Sequence, residues 1–210
     1  MTKLYFPGGG FGFWYLLGIY MKLRDTESDF KNYELIGCSA GSLICLVSLL
    51  KKEYINFNFC VYLYEKARSQ QKGIINTFIL INSLFNLTVD YIDYENLSYN
   101  LSNLYIHTTE ITFFWGCLPC VKKNIEQADN LEYFRQLCLS SCQLPFFGRS
   151  TDHCCFINLN NKLLFDGMFS ENQLEEQEFH EKFDASGHLS LHFPSINQIN
   201  EMYTLGYSSR

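Results

Sequence analysis

The first apolar cluster, Leu4-Tyr5-Phe6, is too short for a helix and predicts a strand over 3–6. A glycine-rich turn, Pro7-Gly8-Gly9-Gly10-Phe11-Gly12, follows it. Phe13, Leu16, Leu17, Tyr20 and Leu23 then recur at helical spacing and predict a helix over 13–24. Beyond a polar loop, Leu35-Ile36 predicts a second strand over 34–37. Leu43, Ile44, Leu46, Val47, Leu49 and Leu50 make the next helix almost wholly apolar, as one buried under a sheet would be, to about residue 52. Strand, glycine loop, helix, strand, helix is a βαβα opening with a parallel strand pair.

Residues 54–101 read as mainly helical. Phe57, Val61, Tyr64 and Ala67 predict one helix ending near Gly73, 74–87 a second and 93–101 a short third. Leu104 to His107 predicts a strand, Thr108-Thr109-Glu110 a polar break, and 111–115 a further strand. Leu131, Phe134, Leu137, Cys138 and Ser141 predict a helix over 131–142 that stops before Pro145. Residues 154–159 and 162–165 flank Asn160-Asn161 as a hairpin, and Asp166-Gly167 follows. Residues 170–185 read as an exposed acidic tail, 188–193 as a strand and 196–205 as a closing helix. No repeat or linker divides the chain, so one domain over 1–210 is expected.

Composition narrows the function. With 47% hydrophobic residues the chain is not disordered, and a net charge of −6 without any basic run argues against nucleic acid as a partner. Aromatics reach 17%, which fits either AT-rich coding or a rim that meets lipid. The apolar run at 4–6 is too short for a signal peptide, and asparagines interrupt the longest apolar stretch, 74–87. The expectation is a soluble cytoplasmic protein with peripheral, transient membrane contact and no transmembrane segment. Without a secretion signal the nine cysteines read as reduced thiols. Cys117 and Cys120 have the spacing of a zinc or redox pair that Cys154-Cys155 would complete, but no second C-x-x-C or redox βαβ unit accompanies them.

The chemistry centres on Gly37-Cys38-Ser39-Ala40-Gly41, a G-x-S-x-G between a predicted strand and helix. This is the pattern of a nucleophile elbow, in which a sharp turn presents Ser39 beside a helix N-terminus. Side chains at Gly37 and Gly41 would collide with neighbouring backbone there. A serine nucleophile needs a proton acceptor and donors for an oxyanion. The loop Gly8-Gly9-Gly10 offers unobstructed N–H groups, and Asp166 after a late strand offers a carboxylate. The loop does not fit G-x-G-x-x-G, whose last glycine would stand where Phe13 does, and no Walker lysine follows. A triad of Ser39, Asp166 and one of His180, His188 or His192 has the α/β-hydrolase order, although that fold places several strands before its nucleophile.

Glycine loop, early G-x-S-x-G and late Asp-Gly, in that order, resemble the patatin-like phospholipase family. Gly18 matches a glycine of the family's first helix, Ser140 to Phe147 resembles its small-Ser-x-x-x-Pro segment, and 104–109 its central strand. The resemblance covers about 4–168, leaving 169–210 as the acidic segment and closing elements. It implies a three-layer α/β/α domain with a central, mostly parallel sheet. It also implies a metal-independent, phospholipase A-type hydrolase of lipid acyl esters, without cofactor, acting at a membrane or micelle surface. Ser39 would be the nucleophile and Asp166 its base, with Gly167 as the motif turn and an oxyanion hole of Gly8, Gly9, Gly10 and Phe11. The departures are Gly12-Phe13, where the family closes its loop with glycine last, and Met168, where it has Gly or Ala. A catalytically silent lipid-binding or regulatory relative and a triad esterase are the alternatives.

Overall fold

Period-two alternation along neighbouring strands builds the two sides of the molecule. The computed structural model describes residues 2–70, 77–114, 118–144, 156–188 and 193–209. β1 (Lys3–Phe6), β2 (Glu34–Cys38) and the start of β3 (Leu104–Phe114) run parallel, with Leu4 opposite Leu35 and Leu35 opposite Leu104. One set of their side chains, Leu4, Phe6, Leu35, Leu104 and Ile106, enters the large core. α1 (Phe13–Thr26), α2 (Ala40–Ser48), α3 (Phe57–Ser69) and α4 (Thr77–Thr88) supply that core with Leu16, Ile44, Cys60 and Ile81. The opposite set, Tyr5 and Ile36 with Tyr105 beside them, forms a smaller core under Leu174 and Phe179.

A short helix α5 (Leu97–Ser102) leads into β3. β3 is one continuous strand through the predicted polar break. Threonine is a good strand former, and the hydroxyls of Thr108 and Thr109 are buried with partners, so their polarity interrupts nothing. The antiparallel β4 (Leu118–Gln127) was not expected; most of its residues are exposed and no alternation marks it. α6 (Leu131–Ser141) starts where Asn130 accepts the Tyr133 N–H at 2.9 Å. β5 (Ile157–Leu159) and β6 (Lys162–Asp166) form the expected hairpin, Asn160 and Asn161 turning it at φ 51° and 64°.

The segment read as an exposed acidic tail is not a tail. Residues 167–173 and 176–178 are 3₁₀ turns laid over the smaller core, and β7 (Glu181–Lys182) pairs parallel with β1. Ion pairs Lys123–Glu178 and Lys182–Glu171 engage its acidic groups. The expected strand at 188–193 starts instead in a 3₁₀ turn, Ser186–His188, and 189–192 lie outside the described residues. α7 (Ile196–Ser208) closes the chain against α1.

The result is a central sheet flanked by helices, ordered β5-β6-β3-β2-β1-β7 with β4 paired to β3. The sheet is mixed, not mostly parallel: β1–β2, β1–β7 and β2–β3 are parallel, while β3–β4, β3–β6 and β5–β6 are antiparallel. The layers are also unequal, since 3₁₀ turns cover the smaller core. No helix among the described residues is long and apolar enough to cross a membrane.

The α1–α7 contact depends on two glycines. A Cβ on Gly18 would lie 2.3 Å from the Tyr203 carbonyl oxygen, and one on Gly206 would lie 2.0 Å from that of Tyr15. Gly18→Ala is expected to cost about 1–3 kcal/mol in chemical denaturation, because the helices must separate. Gly187→Ala, with nothing within 4 Å of the new methyl, should shift stability by less than about 0.5 kcal/mol.

Candidate active site

β3 brings Ser39 and Asp166 together. β4 occupies one edge of β3 along 105–114, so β2 and β6 share the other. β2 ends with Cys38 opposite His107, and β6 arrives from the opposite direction with Asp166 opposite Thr108. The two strand ends therefore meet head-on, about one residue rise apart. Ser39, next after Cys38, and Asp166 line the same cavity.

Ser39 adopts φ 49°, ψ −117°, a conformation that costs a non-glycine residue roughly 1–3 kcal/mol. Its peptide is held on both sides. The Ser39 N–H donates to Ser141 Oγ at 2.7 Å, and Ser141 Oγ donates to the His107 carbonyl at 2.7 Å. The Ser39 carbonyl accepts from the Ser42 hydroxyl at 2.6 Å and the Ser42 N–H at 2.9 Å. At about 0.5–1.5 kcal/mol each, these bonds offset the strain. The elbow glycines are steric necessities: a Cβ on Gly41 would lie 2.0 Å from the Phe6 oxygen, and one on Gly37 2.5 Å from the Gly41 oxygen. Cys38 and Ala40, the other elbow positions, are buried. Ser39 occupies the N-cap of α2, where the helix dipole favours negative charge.

Gly8 lies against the serine, since a Cβ there would be 3.3 Å from Ser39 Cβ and 3.6 Å from Met168 Cβ. Gly9, Gly10 and Phe11 line the cavity, and Gly10 has φ 54°. Gly12 and Phe13 sit at the start of α1; the Gly12 N–H bonds the Gly9 carbonyl at 2.8 Å and closes the loop as a turn. Gly167 passes so close to β3 that a Cβ would lie 2.4 Å from the His107 oxygen.

Asp166 is fully buried. Oδ1 accepts the Met168 N–H at 3.0 Å, while Oδ2 is buried without a hydrogen-bond partner. Burial pushes the carboxyl pKa up to about 7; the Met168 N–H and the Ser39 hydroxyl oppose the rise, and the Glu171 charge adds to it. A carboxylate poised near neutrality beside a serine hydroxyl is matched to accepting and returning a proton.

The sequence reading did not single out the polar group behind Asp166. His107 is fully buried, with Nδ1 2.9 Å from the Tyr5 hydroxyl and Nε2 3.0 Å from Ser170 Oγ. Burial lowers its pKa to about 4, so the ring is neutral. Thr109 Oγ1 donates to the Asp166 carbonyl at 2.8 Å and lies 2.9 Å from Ser170 Oγ. His107 and Thr109 stand at alternate positions on the sheet face opposite Asp166, so they fix its backbone rather than its carboxylate. The usable signal was His107-Thr108-Thr109, polar residues directly after the apolar Leu104-Tyr105-Ile106.

The two described candidate histidines, His180 and His188, are not brought to the cavity. His180 Nδ1 accepts the Lys3 N–H at 3.0 Å, at the far end of β1. His188 stacks on Tyr15 at 4.1 Å, and His192 lies outside the described residues. Cys120 is an exposed free thiol, while Cys117, Cys154 and Cys155 lie outside the described residues.

The cavity, about 320 Å³, runs from Ser39 and Asp166 into the space between α1, α2, α3 and α4. Leu43, Val47, Leu63 and Ile81 are typical of its apolar wall. Such a volume is that of a small-molecule site. Phe146 and Phe147, at the end of the segment that resembles small-Ser-x-x-x-Pro, lie outside the described residues.

The buried carboxyl makes stability depend on pH. The folded chain keeps the Asp166 proton to about pH 7, whereas an unfolded chain releases it near 3.8. Stability contributed by this group is therefore full below pH 3.8, falls as pH rises toward 7 and stays low above. Asp166→Asn is expected to raise stability at pH 8 by on the order of 1–4 kcal/mol and to leave it unchanged at pH 3.5, as read by denaturant unfolding.

No protein-family model matches the sequence, and no curated protein matches it. Among solved structures, the chain is similar to one in the heterodimeric ExoU–SpcU complex from the type III secretion system of Pseudomonas aeruginosa, with a TM-score of 0.47 and 13% identity over 100% of this chain and 50% of that one. It is also similar to the type III effector protein ExoU, with a TM-score of 0.42 and 14% identity over 98% and 51%. The chain spans about half the length of these solved chains.

Proposed function

We propose that this chain is a lipid acyl hydrolase that cleaves fatty-acyl esters with a Ser39–Asp166 dyad. The observation that carries the proposal is the convergence of a strained serine and a buried, half-satisfied carboxyl at one apolar cavity. Asp166 Oδ2 takes the Ser39 proton as Oγ bonds to the ester carbonyl carbon. The N–H groups of the Gly8-Gly9-Gly10-Phe11 loop stabilise the oxyanion, and α2 adds its N-terminal field. Collapse breaks the bond to the alcohol, which leaves with the proton held by Asp166. A water then gives its proton to Asp166 and its hydroxide to the acyl carbon. Fatty acid departs, and Ser39 regains a proton.

The apolar wall supports a hydrocarbon chain as the acyl group. A dyad is favoured over a triad because His180 and His188 are engaged away from the cavity.

Fluorophosphonate is expected to label the Ser39 peptide, and Ser39→Ala to abolish the labelling. Label on another serine would reject the assignment, and no label on a folded chain would identify a silent relative. Asp166→Asn should cost several orders of magnitude in fatty-acid release from phospholipid vesicles. His180→Ala, His188→Ala and His192→Ala should each retain most activity. A near-complete loss in one of them would establish a triad. Excess EDTA should leave the rate unchanged, because glycine-loop N–H groups do the work of a Lewis acid. The base acts deprotonated, so kcat/KM should rise with pH through about 7.

A further inference from the structure

The β3–β4 hairpin extends past the sheet at the end where Ser39 and Asp166 lie. β2 stops opposite His107 and β6 flanks β3 only as far as Ile111, while β3 continues to Phe114. The last three residues of β3 and their partners in β4 therefore stand roughly 10 Å beyond their neighbours. From Ile111 to Val121 eleven consecutive residues carry no charge. The first charges inland, Glu110 and Lys122, lie directly opposite each other and balance. The register sets Ile111, Phe113, Pro119 and Val121 on one face, which is wholly apolar, and Thr112, Leu118 and Cys120 on the other, where the Thr112 hydroxyl donates to the Cys120 carbonyl. Phe113 and Leu118 are 56% and 58% exposed.

A second apolar feature lies at the same end. Met168 and Phe169, directly after Asp166-Gly167, are exposed and also line the cavity. Phe169 packs on Phe165, whose partner Thr109 shares the hairpin face that carries Ile111 and Phe113. The hairpin end and the Met168–Phe169 rim thus lie on the same side of β3, with the buried Phe165 and Thr109 between them.

We propose that the hairpin end and the Met168–Phe169 rim together form a docking surface for a lipid bilayer, inserting edge-first into its interfacial layer. This rests on the lipid-ester reading and adds where the chain meets its substrate phase. The length of the uncharged end matches the insertion depth of interfacial segments, about 5–10 Å. A second copy joined strand to strand is disfavoured. Pro119 removes a donor from the outer strand, and the Gln173 side chain occupies its edge, donating to the Val121 carbonyl at 3.1 Å and accepting the Lys123 N–H at 2.8 Å. With Glu110 and Lys122 balanced and the whole chain at −6, attachment rests on apolar insertion and does not require anionic lipid.

The test is flotation of the Ser39→Ala chain with phosphatidylcholine vesicles, at low and high salt. The chain should float, with little dependence on salt. Phe113→Ser/Leu118→Ser should reduce the bound fraction at least about tenfold. The same double substitution should leave the cooperative denaturant-unfolding transition in place, which verifies its fold whether or not Ser39 takes label. Phe113→Ser alone serves if the double variant does not fold. Failure of the Ser39→Ala chain to float overturns the proposal, as does flotation unaltered by the substitutions. A dimer that the substitutions convert to monomer also overturns it and makes the surface an interface between copies. If flotation depends on the hairpin but Ser39 takes no label and no fatty acid is released, the hydrolase reading fails while the docking surface stands.

Discussion

One edge of β3 is shared by two strands that run toward each other, and the site depends on that meeting. A strand end is ordinarily where the chain turns away into solvent. Here β2 and β6 end against each other, with β3 as the common ruler, so the residues after one and at the end of the other are forced into proximity. The mixed character of the sheet is thus what brings Ser39 and Asp166 to one cavity. A parallel β6 placed as an outer neighbour would have carried its last residue alongside β2 rather than into its end.

Two energetic costs are concentrated at this junction, and the surroundings offset them differently. The strain at Ser39 is balanced locally, by bonds to Ser141 and Ser42 that grip the peptide and leave the side chain to face the cavity. The burial of Asp166 is not fully balanced, because one oxygen lacks a partner. Its backbone is nevertheless rigidly set through Thr109, Ser170 and His107. The protein thereby holds the carboxyl in place without satisfying it. That combination keeps its proton affinity close to neutrality, where a fully hydrogen-bonded carboxylate would be a far weaker base.

Legibility in the sequence followed the range of the interactions. The opening βαβα unit was readable because its signals are local: apolar runs, a glycine turn and a helix with no polar face. Gly37 and Gly41 were readable for a related reason, since only a missing side chain fits their sites. β4 was not, because an exposed strand held by one neighbour needs no alternation. The 3₁₀ turns over the smaller core were read as solvent-exposed acid because Leu174 and Phe179 are sparse among charges. Thr108 and Thr109 misled for the opposite reason: their polarity is local, but their partners lie 16 and 57 residues away. The approach of Asp166 to Ser39 depended on register, which no window of neighbouring residues contains.

The glycine seam between α1 and α7 has a consequence for the order of assembly. It joins positions 188 residues apart (206 − 18), and β7 reaches β1 across a comparable separation, Tyr5 to Lys182. Closing loops of that length costs chain entropy that a hairpin or an adjacent helix pair does not. The elbow, β3 and β6 complete their pairing within residues 34–166, whereas β1 acquires its outer neighbour only from the final quarter of the chain. The glycine loop lies between β1 and α1, the two elements that wait longest. Ser39 and Asp166 are therefore expected to meet before the glycine loop is locked over them, so a partly folded chain carries the pair proposed as catalytic without the N–H groups proposed to serve it.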